Sequence, residues 1–244
     1  MYDERQSNRV ATLAVIAAVA SLMVLAAAGP LYRIGLLGLA KAFGVLRWAV
    51  YGEVGALMLA LLGVIVAVRR RSGMASAVTA IVVGLIALAM PFSWLRQASR
   101  VPLIHDITTD TDHPPEFVAA VPLRAGAANP VDYGGPAIAA RQHQGYADIA
   151  PLPLNITPDQ AFDRALASAR KMGWEIIASD PAAGRIEATD TTYWFGFKDD
   201  IVIRIAAAPG GSRVDVRSLS RVGLSDVGTN AARIRKFLDA LRIP

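Results

Sequence analysis

The chain of 244 residues contains no cysteine and only three histidines. Without thiols it has no disulfide, no thiolate metal site, no thiol nucleophile and no acylated-cysteine anchor. The compartment stays open, because a thiol-free chain suits either redox environment. His105, His113 and His143 stand at no short ligand spacing. They read as surface or hydrogen-bonding groups, and no metal is expected. Charge is scarce as well: 18% of residues are charged against 54% hydrophobic, too apolar for an average soluble chain. The scarcity is uneven. Up to Arg100 ten Lys/Arg face three acids (Asp3, Glu4 and Glu53), a balance of +7. From Val101 onward fifteen Lys/Arg face seventeen acids, a balance of −2. The net charge of +5 therefore belongs to the first hundred residues, and no nucleic-acid partner is expected.

What fills residues 1–100 is apolar sequence. Residues 10–28 carry no charge, residues 48–68 only Glu53, and residues 72–95 none. A helix needs about 20 apolar residues to cross the hydrocarbon core, so each stretch is a candidate span. A membrane region with three helices follows, and the lipid bilayer is the first expected partner. Arg5 and Arg9 before the first stretch, with Ala26-Ala27-Ala28 at its end, also fit a cleaved signal peptide. The run is longer than a usual signal core. In residues 29–47 the only charges, Arg33, Lys41 and Arg47, fall within about 120° of a helical wheel. An interfacial helix or a plain connecting loop accounts for them equally. Glu53 is the single intramembrane acid and so a functional candidate. It lies less than two turns from Trp48, where it could reach the interface or pair with Arg47.

Orientation follows from the cations in the short flanks. Arg5, Arg9 and Arg69-Arg70-Arg71 lie on one side, and Arg33, Lys41, Arg47, Arg96 and Arg100 on the other. The count is tied at five each. A very short loop with three arginines is hard to translocate, which puts the amino terminus inside. The expectation is a multi-pass protein of the inner (cell) membrane whose soluble domain faces the extracytoplasmic side of the envelope.

The soluble domain spans residues 101–244. Residues 101–153 are rich in proline and glycine and read as an extended segment that wraps the domain. Asp106, Asp110 and Asp112 hint at a calcium loop, but Thr111 stands where the EF-hand requires glycine and Phe117 where it requires an acid. Local side-chain to backbone turns explain the run better. Residues 154–244 form the α+β core. Thr157-Pro158-Asp159-Gln160 starts a helix, with Thr as N-cap and Gln at the third position. Strands are expected over 174–179 and 185–195, with turns at 180–184 and 196–200. A third strand alternates Ile201, Ile203 and Ile205 with Val202, Arg204 and Ala206. Pro209-Gly210-Gly211 marks a hairpin. A fourth strand sets Arg213, Asp215 and Arg217 against Val214, Val216 and Ser218. Ile234, Phe237, Leu238 and Leu241 stripe a last helix. The expected fold is an antiparallel four-stranded sheet with two helices on one face, behind three transmembrane helices.

Three constellations are candidate sites. Tyr193, Trp194, Phe195 and Phe197 flank Gly196. Trp194 and Phe197 could line an apolar ligand pocket, dip into the headgroup layer, or be sheet core. Arg204, Arg213, Arg217 and Arg221, with Asp226 at a helix start, could hold a phosphate or carboxylate; cross-strand ion pairing is the plainer account. Asp199 and Asp200 could serve acid–base chemistry, but adjacent acids in a turn point apart. No nucleophile elbow, metal triad or phosphate loop accompanies them. No catalytic residue and no cofactor are therefore assigned.

Trp194-Phe-Gly-Phe-Lys-Asp-Asp-Ile-Val-Ile-Arg204, Ser212-Arg-Val-Asp-Val-Arg-Ser218 and Ser220-Arg-Val-Gly-Leu-Ser-Asp-Val-Gly228 together resemble the uncharacterised domain-of-unknown-function family 1499. Asp106-Ile-Thr-Thr-Asp110 and Tyr146-Ala-Asp-Ile149 resemble its amino-terminal landmarks. The likeness covers about residues 100–244 and implies no established activity. Some members resemble secreted or lipid-anchored envelope proteins, which favours an extracytoplasmic domain. The leading expectation is a non-catalytic protein whose outer domain binds an envelope protein, a lipid or another amphiphile near the membrane. An enzyme working on an anionic envelope component at the arginine face is the alternative, and a purely structural domain is the third.

Overall fold

The structure is a computed structural model that describes residues 8–242; Arg5, counted above among the flanking cations, lies outside them. The chain forms two compact units. One comprises the residues up to Arg96 together with Tyr193–Gly196, and the other comprises Gln97–Thr192 and the residues from Phe197 onward.

The first unit is built from three helices, α1 (Arg9–Arg33), α2 (Leu39–Arg70) and α3 (Met74–Ala98). All three are long and apolar enough to cross a membrane. Residues 29–47 are neither an interfacial helix nor a connecting loop. α1 runs on to Arg33, α2 starts at Leu39, and only residues 34–38 are left between them. The buried positions of α2 are Ala42, Ala49, Glu53, Ala56, Ala60, Gly63 and Ala67, spaced by threes, fours and sevens. α3 buries Ala77, Ala80, Gly84 and Ala87, and α1 buries Ala11, Ala14, Ala18, Leu25 and Ala28. Small residues thus line the inside, while Leu13, Ile16, Met23, Leu61, Leu62, Ile65, Leu85 and Ile86 point outward. That pattern is inverted for water and right for lipid, where close backbone approach rather than burial of large side chains drives helix association. At Gly63 an added Cβ would stand 3.1 Å from Ala11 Cα. The start of α1 is tied down by Asn8, whose side chain accepts from Ala11 N–H (3.1 Å) and donates to the Gly63 carbonyl (2.8 Å).

The second unit is an α+β domain on an antiparallel sheet. The sheet has six strands rather than four, in the order β1-β6-β5-β4-β3, with β2 also on β6. The long strands β3 (Glu175–Asp180), β4 (Arg185–Thr191), β5 (Lys198–Ala208) and β6 (Gly211–Ser220) form a meander. The two extra strands, β1 (Asp106–Thr108) and β2 (Leu152–Leu154), are three residues each and share the outer edge of β6. Both lie in the stretch read as loop, as does helix α4 (Gly135–Gly145). Three residues carry no periodicity of their own; pairing to a long neighbour makes them strands. The edge of β1 is closed by Gln142 of α4, whose amide exchanges two hydrogen bonds with the Thr108 backbone (3.0 and 2.6 Å).

Helices α5 (Pro158–Lys171) and α6 (Thr229–Arg242) cover one face. α5 opens on a capping box, Thr157 and Gln160 each bonding the other's backbone N–H. Ala161, Phe162, Ala165 and Ala169 of α5 and Ile234, Phe237, Leu238 and Leu241 of α6 meet Ile186, Ile201, Ile203, Val214 and Val216 of the sheet in one core. Ser218 and Ser220 on the same face meet Asn230 and Arg233 of α6.

Because α1 and α2 touch through backbone, a larger side chain at the contact cannot be absorbed. Gly63→Leu is expected to lower the thermal midpoint of the detergent-solubilised protein, by about 1–3 kcal/mol of overpacking. Gly55→Leu, where an added Cβ meets nothing within 4 Å, is expected to leave it unchanged. Equal midpoints for the two variants would contradict the packing.

Candidate functional site

The second face of the sheet carries the charged residues. Alternation sends Arg213, Asp215, Arg217 and Leu219 of β6, Asp200, Val202 and Arg204 of β5, and Glu187 and Thr189 of β4 to this side. Residues 110–131 lie over it. Phe117 and Ala120 pack on Val202 and Leu219, and the rest of the contact is ionic. Arg217 binds Asp106 through two hydrogen bonds (3.0 and 2.8 Å) and donates to the Pro115 and Val131 carbonyls (3.4 and 2.7 Å). Its guanidinium stacks on Phe117 and Tyr133 (5.1 and 5.5 Å). Burial, aided by Asp106, pushes the Tyr133 hydroxyl up to about 12. Arg204 meets Asp215 and Asp110 (2.9 and 3.0 Å) and the His113 carbonyl (3.0 Å). Arg213 meets the same two acids. Arg221 meets Asp200 (2.8 Å) and the Leu123 carbonyl (2.9 Å). The carboxylate of Glu187 accepts from three successive backbone N–H groups, those of Val118, Ala119 and Ala120, at 2.9–3.1 Å.

Asp200 is, like Glu187, fully buried. Two guanidiniums, of Arg124 (2.6 Å) and Arg221, and the Thr189 hydroxyl (2.7 Å) converge on it. Burial pushes its carboxyl up, but the bonds from Arg221, Thr189 and Arg124 outweigh this and hold it below the ordinary range. Asp199 and Asp200 belong to β5, not to a turn. Being adjacent in a strand they point to opposite faces, where Asp199 meets Arg233 of α6 (2.7 Å). The candidate acid Asp226 lies apart from the arginines of this face. Its carboxylate accepts from Gly228 and Asn230 N–H at the start of α6 (2.9 and 2.7 Å). Burial raises it above the usual carboxylate value.

The structure thus brings Arg204, Arg217 and Arg221 onto one face and commits each to acids and carbonyls of its own domain. Arg124, Asp106, Asp110 and Glu187 complete that face. Sequence reasoning passed over Arg124 and Glu187, and read Asp106 and Asp110 as local turn residues rather than as partners of the arginine face. A signal was available: acids and arginines alternate at period two across neighbouring strands. A shallow cavity of about 280 Å³, lined by Asp148, Ile149, Arg235, Leu238, Asp239 and Arg242, contains none of the candidate residues.

The aromatic run divides differently. β4 ends at Thr191 and β5 begins at Lys198, so the turn covers 192–197 and the aromatics are not sheet core. Thr192 closes it, its N–H donating to the Phe197 carbonyl and its hydroxyl accepting from Phe197 N–H (2.9 and 2.8 Å). Trp194 is fixed within the helical unit. α1 contains Pro30, which has no N–H and so deprives the carbonyl of Ala26, four residues earlier, of its helical donor. Trp194 Nε1–H donates to that carbonyl at 3.0 Å. Gly29 makes the room: a Cβ there would stand 2.7 Å from the indole. Trp194 also meets Trp94 (5.5 Å), and Phe195 stacks on Phe43 and tilts against Tyr32 (both 5.7 Å). Trp194 therefore satisfies this chain's own backbone instead of lining an open pocket.

Glu53 does not pair with Arg47. It is fully buried among the helices, and neither carboxyl oxygen has a hydrogen-bond partner. It lies beside Gly84 of α3.

These features define a class: an α+β domain, closed on one sheet face by two helices and on the other by an ion-paired strap, in a chain with three helices able to cross a membrane. A family model described as "Protein of unknown function (DUF1499)" matches residues 106–241, more than half of the chain, and the chain belongs to that family. Comparisons with curated proteins and with solved structures gave no match.

Two outcomes are expected. Trp194→Phe removes the donor to the Ala26 carbonyl and should destabilise the protein by about 1–3 kcal/mol. In a Pro30→Ala background, where a helical N–H is restored, the same change should cost clearly less. Equal costs in a thermal-unfolding double-mutant cycle would dissociate Trp194 from the proline. The second concerns acid. A carboxyl held low in the folded state contributes stability above its unfolded value, about 3.9, and loses it as pH falls through the folded value. Asp110, Asp148 and Asp200 are all held low, so the thermal midpoint should fall steeply below about pH 4. Asp200→Asn should lower the midpoint at pH 7 and flatten that acid limb.

Proposed function

We propose that this is a membrane-anchored envelope protein whose extracytoplasmic α+β domain is a non-catalytic binding module for a partner protein, a lipid or another amphiphile at the membrane surface. The observation that carries this reading is the contrast on the strapped face. Its arginines are engaged by the domain's own acids and carbonyls, so little of their charge is left to capture an anion. What stands exposed beside them is apolar: Val118, Val121 and Leu123 on the strap, and Leu224 just after Arg221. Arg221 donates to the Leu123 carbonyl and Asn129 to the Gly223 carbonyl (3.0 Å), so strap and turn lie together. Exposed apolar groups of this size, rimmed by charge, suit a partner surface. The three apolar helices support the anchor, and the arginine triplet 69–71 supports the side.

The absence of cysteine gives a direct test of both parts. Leu224→Cys and Asp239→Cys are treated with a membrane-impermeant maleimide in sealed spheroplasts. Asp239 should label without permeabilisation, and Leu224 should be protected until the protein is purified. Labelling of Asp239 only after permeabilisation would reverse the side. Equal labelling of the two cysteines would remove the case for an occupied apolar surface.

A further inference from the structure

Cations are handled in opposite ways in the two units. On the strapped face of the domain the arginines are paired with acids. In the helical unit Glu53 is the only acid among the described residues, and it is buried. Arg33, Lys41 and Arg47 are exposed and have no acid partner among the described residues. Arg33 is the most ordered of the three. It stands in the last turn of α1, and its Nη1 donates to the Tyr193 carbonyl at 2.8 Å. Its stem lies against Gly196, where a Cβ would stand 2.8 Å from Arg33 Cγ and where φ is +70°. That single bond leaves most of the guanidinium fork open.

Beside it, Tyr193 is 93% exposed although its neighbours are fixed, Trp194 on the Ala26 carbonyl and Phe195 between Tyr32 and Phe43. Its exposure is therefore held in place. The short turns between the helices put the end of α1, the start of α2 and the end of α3 at one end of the unit. Tyr32, Phe43, Trp48, Tyr51 and Trp94 all belong to that end. Aromatic side chains mixed with unpaired cations are the composition of a headgroup layer, where rings sit at the boundary and cations meet phosphates.

We propose that Arg33 and the Tyr193–Gly196 loop form a binding site for the phosphate of a membrane-lipid headgroup, with the Tyr193 ring standing in the headgroup layer. The inference rests on the reading of the three helices as membrane spans, and not on the apolar surface around Leu224. The guanidinium supplies a bidentate, permanently charged donor set for phosphate oxygens, and the phenol supplies a further donor beside it.

The test uses the full chain, reconstituted in vesicles of phosphatidylcholine and phosphatidylglycerol. A fluorophore sensitive to polarity is attached to Tyr193→Cys, and to Asp239→Cys as control. At position 193 the emission should be blue-shifted and quenched more by lipids spin-labelled near the headgroup than by lipids labelled deep in the chain. The control should be quenched by neither. Unshifted, unquenched emission at 193 overturns the proposal. A blue shift without lipid quenching also overturns it, in favour of a protein partner. In native mass spectrometry the wild type should retain phosphatidylglycerol, and Arg33→Gln should retain several-fold less. Undiminished retention in Arg33→Gln removes the phosphate site. Added inorganic phosphate should not displace the lipid; displacement would mean that a free anion is the ligand. Maleimide labelling at Leu224 can fail while these outcomes stand, so the two readings fail separately.

Discussion

The second layer of the domain depends on what one arginine does with five N–H groups. Arg217 spends its fork on Asp106 of the edge strand and on the carbonyls of Pro115 and Val131. One side chain thereby fixes a three-residue strand, the start of the strap and its end. Arg204, Arg221 and Arg124 repeat the arrangement at His113, Leu123 and Asn129. The strap bonds itself into a short 3-10 turn over Pro122–Arg124, and its carbonyls at His113, Pro115, Leu123, Asn129 and Val131 take donors from these arginines. A lysine would neutralise the acids as well, but it lacks the planar fork that serves a carboxylate and a carbonyl together. Taking either partner from such a buried pair leaves a charge with no solvent, a loss of about 3–5 kcal/mol.

In the helical unit the same requirement, that a polar group removed from water find a partner, is met by different means. Pro30 leaves the Ala26 carbonyl without its helical donor, and an indole from a distant part of the chain supplies one. Gly29 and Pro30 act as a pair: the glycine opens the helix surface to the ring and the proline gives the ring's N–H something to bind. Glu53 is the exception. Its carboxyl is fully buried beside Gly84, with no hydrogen-bond partner. A buried polar group left in that condition is costly, so a helix surface built from small residues around it is not explained by stability alone.

Legibility in the sequence followed the length of the signal. Three apolar runs near twenty residues read as membrane-crossing helices, the first of them also as a signal peptide, and each run is a long helix in the structure. The alternation through Ile201–Ile203–Ile205 and Arg213–Asp215–Arg217, and the stripe through Ile234, Phe237 and Leu241, each repeat often enough to fix face and type. β1, β2 and α4 did not, because their structure is imposed from outside: by the edge of β6, and by a Gln142 amide whose partner is 34 residues away. Asp199 and Asp200 read as a turn because paired acids are usually solvated. They are strand residues because each face offers an arginine that neither neighbour in sequence discloses. The aromatic run misled in another way. Trp194 was legible as an unusual residue, but its partner is a carbonyl that only the spacing to a proline in another segment could reveal. Nothing within residues 185–200 encodes that.

The distribution of committed and uncommitted charge then separates architecture from recognition. Where arginine and acid are both buried, as in Arg217–Asp106, exchange with a ligand would have to break two charge-assisted bonds and uncover the strap. Such groups hold shape. Where a cation is exposed beside ordered aromatics and has no acid partner among the described residues, an external phosphate meets no internal carboxylate as competitor. Arg33 meets that description and Arg221 does not, though both are arginines adjoining a turn and both donate to a carbonyl. Residue type therefore selected arginines that the fold engages internally, because type records the capacity to bind an anion and not whether the fold has already used it. The deciding quantity is whether acids of the same domain already engage the cation, as they do for Arg204, Arg213 and Arg217 of β5 and β6.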